Sequence, residues 1–202
     1  MKVRTIPVIG LIGSIGAGKS AAAAAFAQRG GRVVNADALG HRALELAEVK
    51  RALVERWGER ILKPEGGVDR RAVAGIVFAN DDERRALERI VFPPIGQLTD
   101  AEIAAAEADP DARFVVLDAA VLLEAGWKDR CNRIVYVDAP YEVRLARLAA
   151  RSHWSADDLR ARELAQWPED EKRKCSSAIV MNDGSLVRLQ ERVDHLVREW
   201  KL

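Results

Sequence analysis

The residues with the clearest chemical potential are Gly13-Ser14-Ile15-Gly16-Ala17-Gly18-Lys19-Ser20, a run that fits the phosphate-loop pattern G-x-x-x-x-G-K-[ST]. Glycines let the backbone curl so that successive N–H groups face the oxygens of a bound phosphate. A helix opening at the end of the loop adds the partial positive charge of its N-terminus. Lys19 can reach the β- and γ-phosphates of a nucleoside triphosphate, and the Ser20 hydroxyl can ligate Mg2+. The alternative is a glycine-rich strand-to-helix turn with an incidental lysine. The complete pattern, with an apolar strand before it and an alanine-rich stretch after it, weighs against that alternative. GTPases, ATPases and small-molecule kinases share this loop, so it marks a triphosphate site and leaves the acceptor open.

Asp37, in Val33-Val34-Asn35-Ala36-Asp37, is the second candidate. At the end of a second parallel strand it would face the crevice beyond the carboxyl ends of the strands, where ligands of open α/β sheets bind. A carboxylate there could take the proton of an attacking hydroxyl. Equally, it could cap a helix that begins near Leu39. A third group is cationic: Arg144, Arg147 and Arg151, then Arg160 and Arg162, then Lys172 and Arg173. Arg147 and Arg151 are four residues apart and share a helical face. An arginine-bearing helical hairpin after a strand suits a lid closing over a transferring phosphate, although any single arginine could equally be a solvated surface residue.

These side chains need a scaffold, and the hydrophobic pattern supplies one. Pro7 to Ile12 reads as a strand buried on both faces, Lys19 to Ala27 as a helix, and Arg32 to Asn35 as a second strand. Leu39 to Trp57 has helical spacing, and so does Arg70 to about Ala108, with an interruption expected at Pro93 and Pro94. Phe114 to Leu117 and Arg133 to Val137 read as strands ending at Asp118 and Asp138. A helix follows from Tyr141 to Arg151, with Ser155 as the cap of the next one. Ala178 to Met181 is a last strand, followed by the turn Asn182-Asp183-Gly184 and a terminal helix with Ser185 as its cap. Strands alternating with helices predict an α/β fold with a parallel sheet, and roughly residues 60–110 form a helical insertion beside it.

The 202 residues carry 32 Lys plus Arg against 31 Asp plus Glu, a formal net charge of +1. Such a chain has no global footprint for nucleic acid or an anionic membrane, so an anionic ligand must be held by local cations and backbone dipoles. Cys131 and Cys175 lack metal-site spacing, which points to a reducing, cytoplasmic setting. The apolar run after the basic N-terminus is short and breaks into the Lys19 loop, so Met1 to Ile12 reads as a strand approach rather than a signal peptide.

Taken in sequence, these segments resemble the dephospho-coenzyme A kinase family. The resemblance covers nearly the whole chain. It runs through Gly18-Lys19-Ser20, Ala36-Asp37, Arg70-Arg71-Ala72-Val73 with Ile76-Val77-Phe78, and Asp118 through Leu122-Leu123-Glu124. It continues through Arg147 and Arg151, Arg162 through Gln166 to Lys172, and Asn182-Asp183-Gly184. The loop is generic, whereas the spacing of the later segments is specific. The resemblance implies a P-loop kinase fold with a five-stranded parallel sheet. It divides one domain, residues 1–202, into a core (about 1–58, 112–150 and 176–202), a helical acceptor-binding region (about 59–111) and a lid (about 151–175). It also implies transfer of the γ-phosphoryl group of ATP to the ribose 3′-hydroxyl of dephospho-coenzyme A, in the presence of Mg2+, by a monomer or weak homo-oligomer. On that basis Asp37 becomes the base or hydroxyl-orienting group, Arg147 and Arg151 stabilise the transferring phosphoryl, and Asn182 and Gly184 lie near the adenine. Phe92, Ala120, Asn35 and Ser177 stand where the family usually has histidine, proline, aspartate and aspartate, which bears on acceptor affinity more than on reaction type. A kinase for another small acceptor, such as a nucleotide or sugar acid, and a nucleotide-binding regulator that has lost catalysis are the competing readings.

Overall fold

In the computed structural model, which describes residues 5–78, 80–164 and 166–202, two compact units are distinguished. Of the N-terminal segment, Met1 to Arg4 lie outside the described residues. The first unit holds the chain up to Asn35 together with Ile103–Leu202, and the second holds Ala36–Glu102.

The first unit is built on five parallel strands: β1 (Val8–Gly13), β2 (Gly31–Asn35), β3 (Phe114–Asp118), β4 (Arg133–Asp138) and β5 (Ala178–Met181). Their spatial order is β2-β3-β1-β4-β5. The central strands β1 and β3 are buried along their whole length, as continuous apolar runs in a sheet covered on both faces should be. The chain leaves β1 toward one edge of the sheet and leaves β3 toward the other. The carboxyl end of β1 therefore opens at the switch point where such sheets bind ligands. Helices α1 (Lys19–Ala27) and α9 (Leu186–Glu199) close one face over Ile9, Leu11, Val135 and Val137. Phe26 of α1 meets Phe114 of β3 edge to face, 6.1 Å between centroids at 83°. As expected, Ser185 caps α9, its hydroxyl accepting from the Arg188 N–H at 3.4 Å.

The second unit is helical: α2 (Ala36–Ala43), α3 (Ala47–Trp57), α4 (Arg70–Val77) and most of α5 (Asp81–Ala108). It begins at Ala36. Two local expectations change. The stretch Leu39 to Trp57 is two helices, because Glu45 and Leu46 close tight three-residue bonds to Arg42 and Ala43 and Leu46 turns extended. The apolar spacing carries across this break and hides it. The helical run from Arg70 to Ala108 is two helices, one ending at Val77 and the next starting at Asp81, and the Asn80 side chain caps α5 by accepting from the Asp82 and Glu83 N–H groups. Pro93 and Pro94 sit inside one continuous α5, each lacking the N–H that would bond the carbonyl four residues back. Within this unit Leu53, Trp57 and Ile61 are buried. The Trp57 indole N–H and the Arg56 guanidinium both donate to Glu83, which holds that carboxylate below its usual range.

Candidate active site

The phosphate loop takes its shape from backbone crowding. At Gly13 a Cβ would stand 2.2 Å from the Val137 carbonyl oxygen, so only glycine lets β4 pass this closely. Gly18 has φ +90°, and a Cβ there would lie 2.3 Å from Asn182 Nδ2. Between them, the Ala17 N–H donates to Ser14 O at 3.1 Å, and the Gly18 carbonyl accepts the first amides of α1.

Two loop carbonyls are pinned from outside. Ile15 O accepts from Arg144 Nη1 at 3.3 Å. Ala17 O accepts from Asn182 Nδ2 at 2.8 Å and from Arg147 Nη1 at 3.4 Å. In a trans peptide the C=O and the following N–H point opposite ways. Fixing these carbonyls therefore directs the Gly16 and Gly18 N–H groups to the other side of the loop. Among the described residues neither donates to another protein group. Aligned donors of this kind, with Lys19 and the opening of α1, suit a polyphosphate.

Behind the loop, the buried Ser14 hydroxyl is hydrogen-bonded to the Tyr136 hydroxyl at 2.6 Å. Burial pushes that phenol above its ordinary range, so it stays neutral. The Arg173 guanidinium stacks 4.8 Å over the Tyr136 ring and pairs with Asp138 at 2.7 Å. The sequence reading overlooked Tyr136 as a support. Its only signal is a polar tip at the carboxyl end of an otherwise apolar strand.

Helix α6 (Tyr141–Ser152) carries Arg144 and Arg147, and α7 (Ala156–Leu164) and α8 (Glu169–Lys174) follow it. Ser155 caps α7 as expected, exchanging bonds with Asp158 in a capping box. A cavity of about 310 Å³ lies between the loop and these helices, lined by Ser14, Ile15, Arg144, Glu163, Gln166 and Lys172 among others. Lys172 is buried, with its ammonium 2.7 Å from Gln166 Oε1 and 4.0 Å from Glu124. Burial lowers its affinity for a proton, Glu124 opposes that, and the charge of Lys19 lowers it further.

The remaining predicted residues fall as follows. Ser20 is exposed in the first turn of α1, and Gly184 is exposed after β5. Asn182 is buried and, with Arg147, braces the loop: Arg147 Nη2 donates to Asn182 O at 3.0 Å. Arg151 is exposed in the last turn of α6. Asp37 is exposed too, inside the first turn of α2 rather than on the strand, two residues beyond the end of β2. It belongs to the helical unit, while the loop belongs to the sheet unit. Of the four departures, Ser177 has a visible use. Its hydroxyl and amide bond the Ile134 backbone and extend the β4–β5 pairing.

Comparison with known proteins agrees with this architecture. The family model for dephospho-CoA kinase matches residues 7–188. A dephospho-CoA kinase of Geobacter metallireducens is 39% identical over 193 residues, covering 95% of this chain and 96% of the relative. One from Thermus thermophilus is 38% identical over 192 residues, covering 95% and 91%. Among solved structures, a Thermus thermophilus protein, TT1252, aligns with a TM-score of 0.81 at 36% identity over 96% of this chain and 98% of its own. Shikimate kinase from Acinetobacter baumannii, at 18% identity and a TM-score of 0.58 over 98% and 97%, shares the fold.

Proposed function

The chain belongs to the dephospho-CoA kinase family, and from that premise we propose how its own residues divide the work of phosphoryl transfer. The activity is an ATP-dependent kinase reaction: phosphorylation of the ribose 3′-hydroxyl of dephospho-coenzyme A, giving coenzyme A and ADP in the last step of coenzyme A synthesis. The observation that carries the division of roles is the pair of pinned loop carbonyls, Ile15 O and Ala17 O.

The loop Gly13 to Ser20 holds the ATP phosphates through the Gly16 and Gly18 amides, and Lys19 neutralises charge at the γ-phosphate. Little covalent chemistry is required of the protein, so rigid positioning is the main contribution. Asp37 orients the acceptor hydroxyl and takes its proton, and its exposure beyond β2 leaves it accessible to a substrate. Arg151 answers charge on the transferring group. Arg147 steadies the loop through Ala17 O and Asn182, which with Gly184 borders the adenine. Apolar parts of the acceptor find a hollow of about 270 Å³ in the helical unit, lined by Leu44, Val73, Phe78 and Ile95 among others.

The donor set also fits Mg2+. Among the described residues no cluster of three His, Cys, Asp or Glu could cage a metal. A hard ion that keeps its waters and relies on substrate phosphates needs only the exposed Ser20 hydroxyl from the loop. Mg2+ held there by the Ser20 hydroxyl would supply neutralisation of phosphate charge. Among the described residues no helix is long and apolar enough to cross a membrane. We read the enzyme as cytoplasmic, and as a monomer or weak homo-oligomer.

Steady-state kinetics of Lys19→Ala and Asp37→Asn test these roles. Each should lower kcat by two orders of magnitude or more, about 3 kcal/mol of transition-state stabilisation, with the fold intact by circular dichroism. A near-normal kcat for Asp37→Asn would remove Asp37 from the role of base.

A further inference from the structure

Arg144 enters the roles above only through its bond to Ile15 O, yet its guanidinium meets several further partners. It is buried, 5% exposed, on the first turn of α6. Its Nε donates to Ala139 O at 3.1 Å, which fixes the guanidinium to the β4–α6 junction. Nη1 donates to Ile15 O of the phosphate loop at 3.3 Å and pairs with Glu163 of α7. Nη2 lies 3.2 Å from Glu169 at the start of α8. One rigid fork thus touches the sheet, the loop and both helices of the lid.

We propose that Arg144 is a positioning residue that fastens α7 and α8 to the outer face of the phosphate loop, so that the docked lid and the anion-binding shape of the loop are maintained together. The Ile15 carbonyl must point outward for the Gly16 N–H to point toward a phosphate, and Arg144 is the side chain that holds it. The same guanidinium is neutralised by two carboxylates that belong to the lid alone. A buried arginine is tolerated only while its partners are in place. Undocking α7 and α8 would leave the charge without them, and it would be drawn away from Ile15 O toward water or a new anion. A lysine could not substitute, because a point charge with three rotatable donors does not reproduce the planar fork. The inference rests on the reading of the loop as the ATP site. Acceptor-dependent ADP release by the unaltered enzyme tests that reading separately.

The test uses two variants of the full chain, Arg144→Lys and the double variant Glu163→Gln with Glu169→Gln, each read by hydrogen-exchange mass spectrometry of the lid and by ATP titration. In the double variant the lid peptides 156–174 should exchange about tenfold faster without nucleotide, and ATP affinity should fall at least about threefold, because Arg144 without its two carboxylates is drawn away from Ile15 O. Arg144→Lys should speed lid exchange equally and raise the KM for ATP about tenfold, with kcat at saturating ATP changed far less. Lid exchange at the wild-type rate or unchanged ATP affinity in the double variant, or an unchanged KM for ATP in Arg144→Lys, would overturn the proposal. A Tm loss in Arg144→Lys with no change in KM would count the same way, since it marks a merely structural role.

Discussion

Replacing Gly18 by alanine probes the loop at its tightest point. The backbone there is left-handed, with φ 90° and ψ 38°, which costs a residue with a side chain about 1–2 kcal/mol. The new methyl would also stand 2.3 Å from Asn182 Nδ2, so the amide must leave the Ala17 carbonyl that it now bonds at 2.8 Å. Ala17 is fully buried, and its carbonyl would keep only the 3.4 Å contact from Arg147, a loss of about 1–2 kcal/mol. Together the two effects give about 3 kcal/mol, or a fall in Tm of about 6–12 °C for a chain of this size. ATP binding should weaken as well, because the Gly18 amide loses its direction. Asn182→Ala alone should cost about 2 kcal/mol by leaving the same carbonyl half-satisfied. The two changes damage one contact, so the double variant should be more stable than additivity predicts by about 1 kcal/mol. Thermal melts and ATP titrations of the four proteins complete the cycle. A Gly18→Ala protein that melts within 2 °C of the parent (under about 1 kcal/mol) and binds ATP normally would refute the crowding argument, as would strict additivity with Asn182→Ala.

Other outcomes follow from the buried titratable groups. Lys172 holds its proton less tightly in the folded state than in the unfolded chain, chiefly through burial. The folded state therefore gains stability as pH rises through the window below the ordinary value of 10.5. Denaturant melts should show this rise in the parent protein and a flatter profile in Lys172→Met. ATP binding beside Lys19 should return proton affinity to Lys172, seen calorimetrically as proton uptake at alkaline pH that Lys172→Met abolishes. Burial also pushes the Cys131 thiol up to about 12, so it stays protonated and should resist iodoacetamide at pH 8 until the protein is unfolded, as peptide mapping would show.

What the sequence disclosed depended on whether the information was local. The phosphate loop, β1 and α1 are contiguous, and each carries its own signal: glycines, a buried apolar run and alanines. The capping residues Ser155 and Ser185 were legible because a cap acts within three residues of itself. The break between α2 and α3 was not legible, since Leu39, Ala43, Leu53 and Trp57 keep one apolar rhythm across it. Pro93 and Pro94 misled in the opposite sense, because α5 tolerates them where propensity alone would end a helix. At the site, residue types suggested which side chains could touch phosphate, but not which would hold the loop. Tyr136, 122 residues from Ser14, and Arg144, 129 residues from Ile15, act through pairings that only the folded sheet creates. Asn182 was expected beside the adenine, and its amide proves to brace Ala17.

The loop and its supports serve one reaction, phosphoryl transfer to dephospho-coenzyme A. The most direct measurement incubates the purified protein with ATP, Mg2+ and a panel of acceptors including shikimate, nucleotides and dephospho-coenzyme A, following ADP and identifying the phosphorylated product by mass spectrometry. Dephospho-coenzyme A should give ADP and coenzyme A in equal amounts, and any other acceptor or none only a trace of ADP. ADP release that does not depend on dephospho-coenzyme A, or a faster reaction with another acceptor, would contradict it.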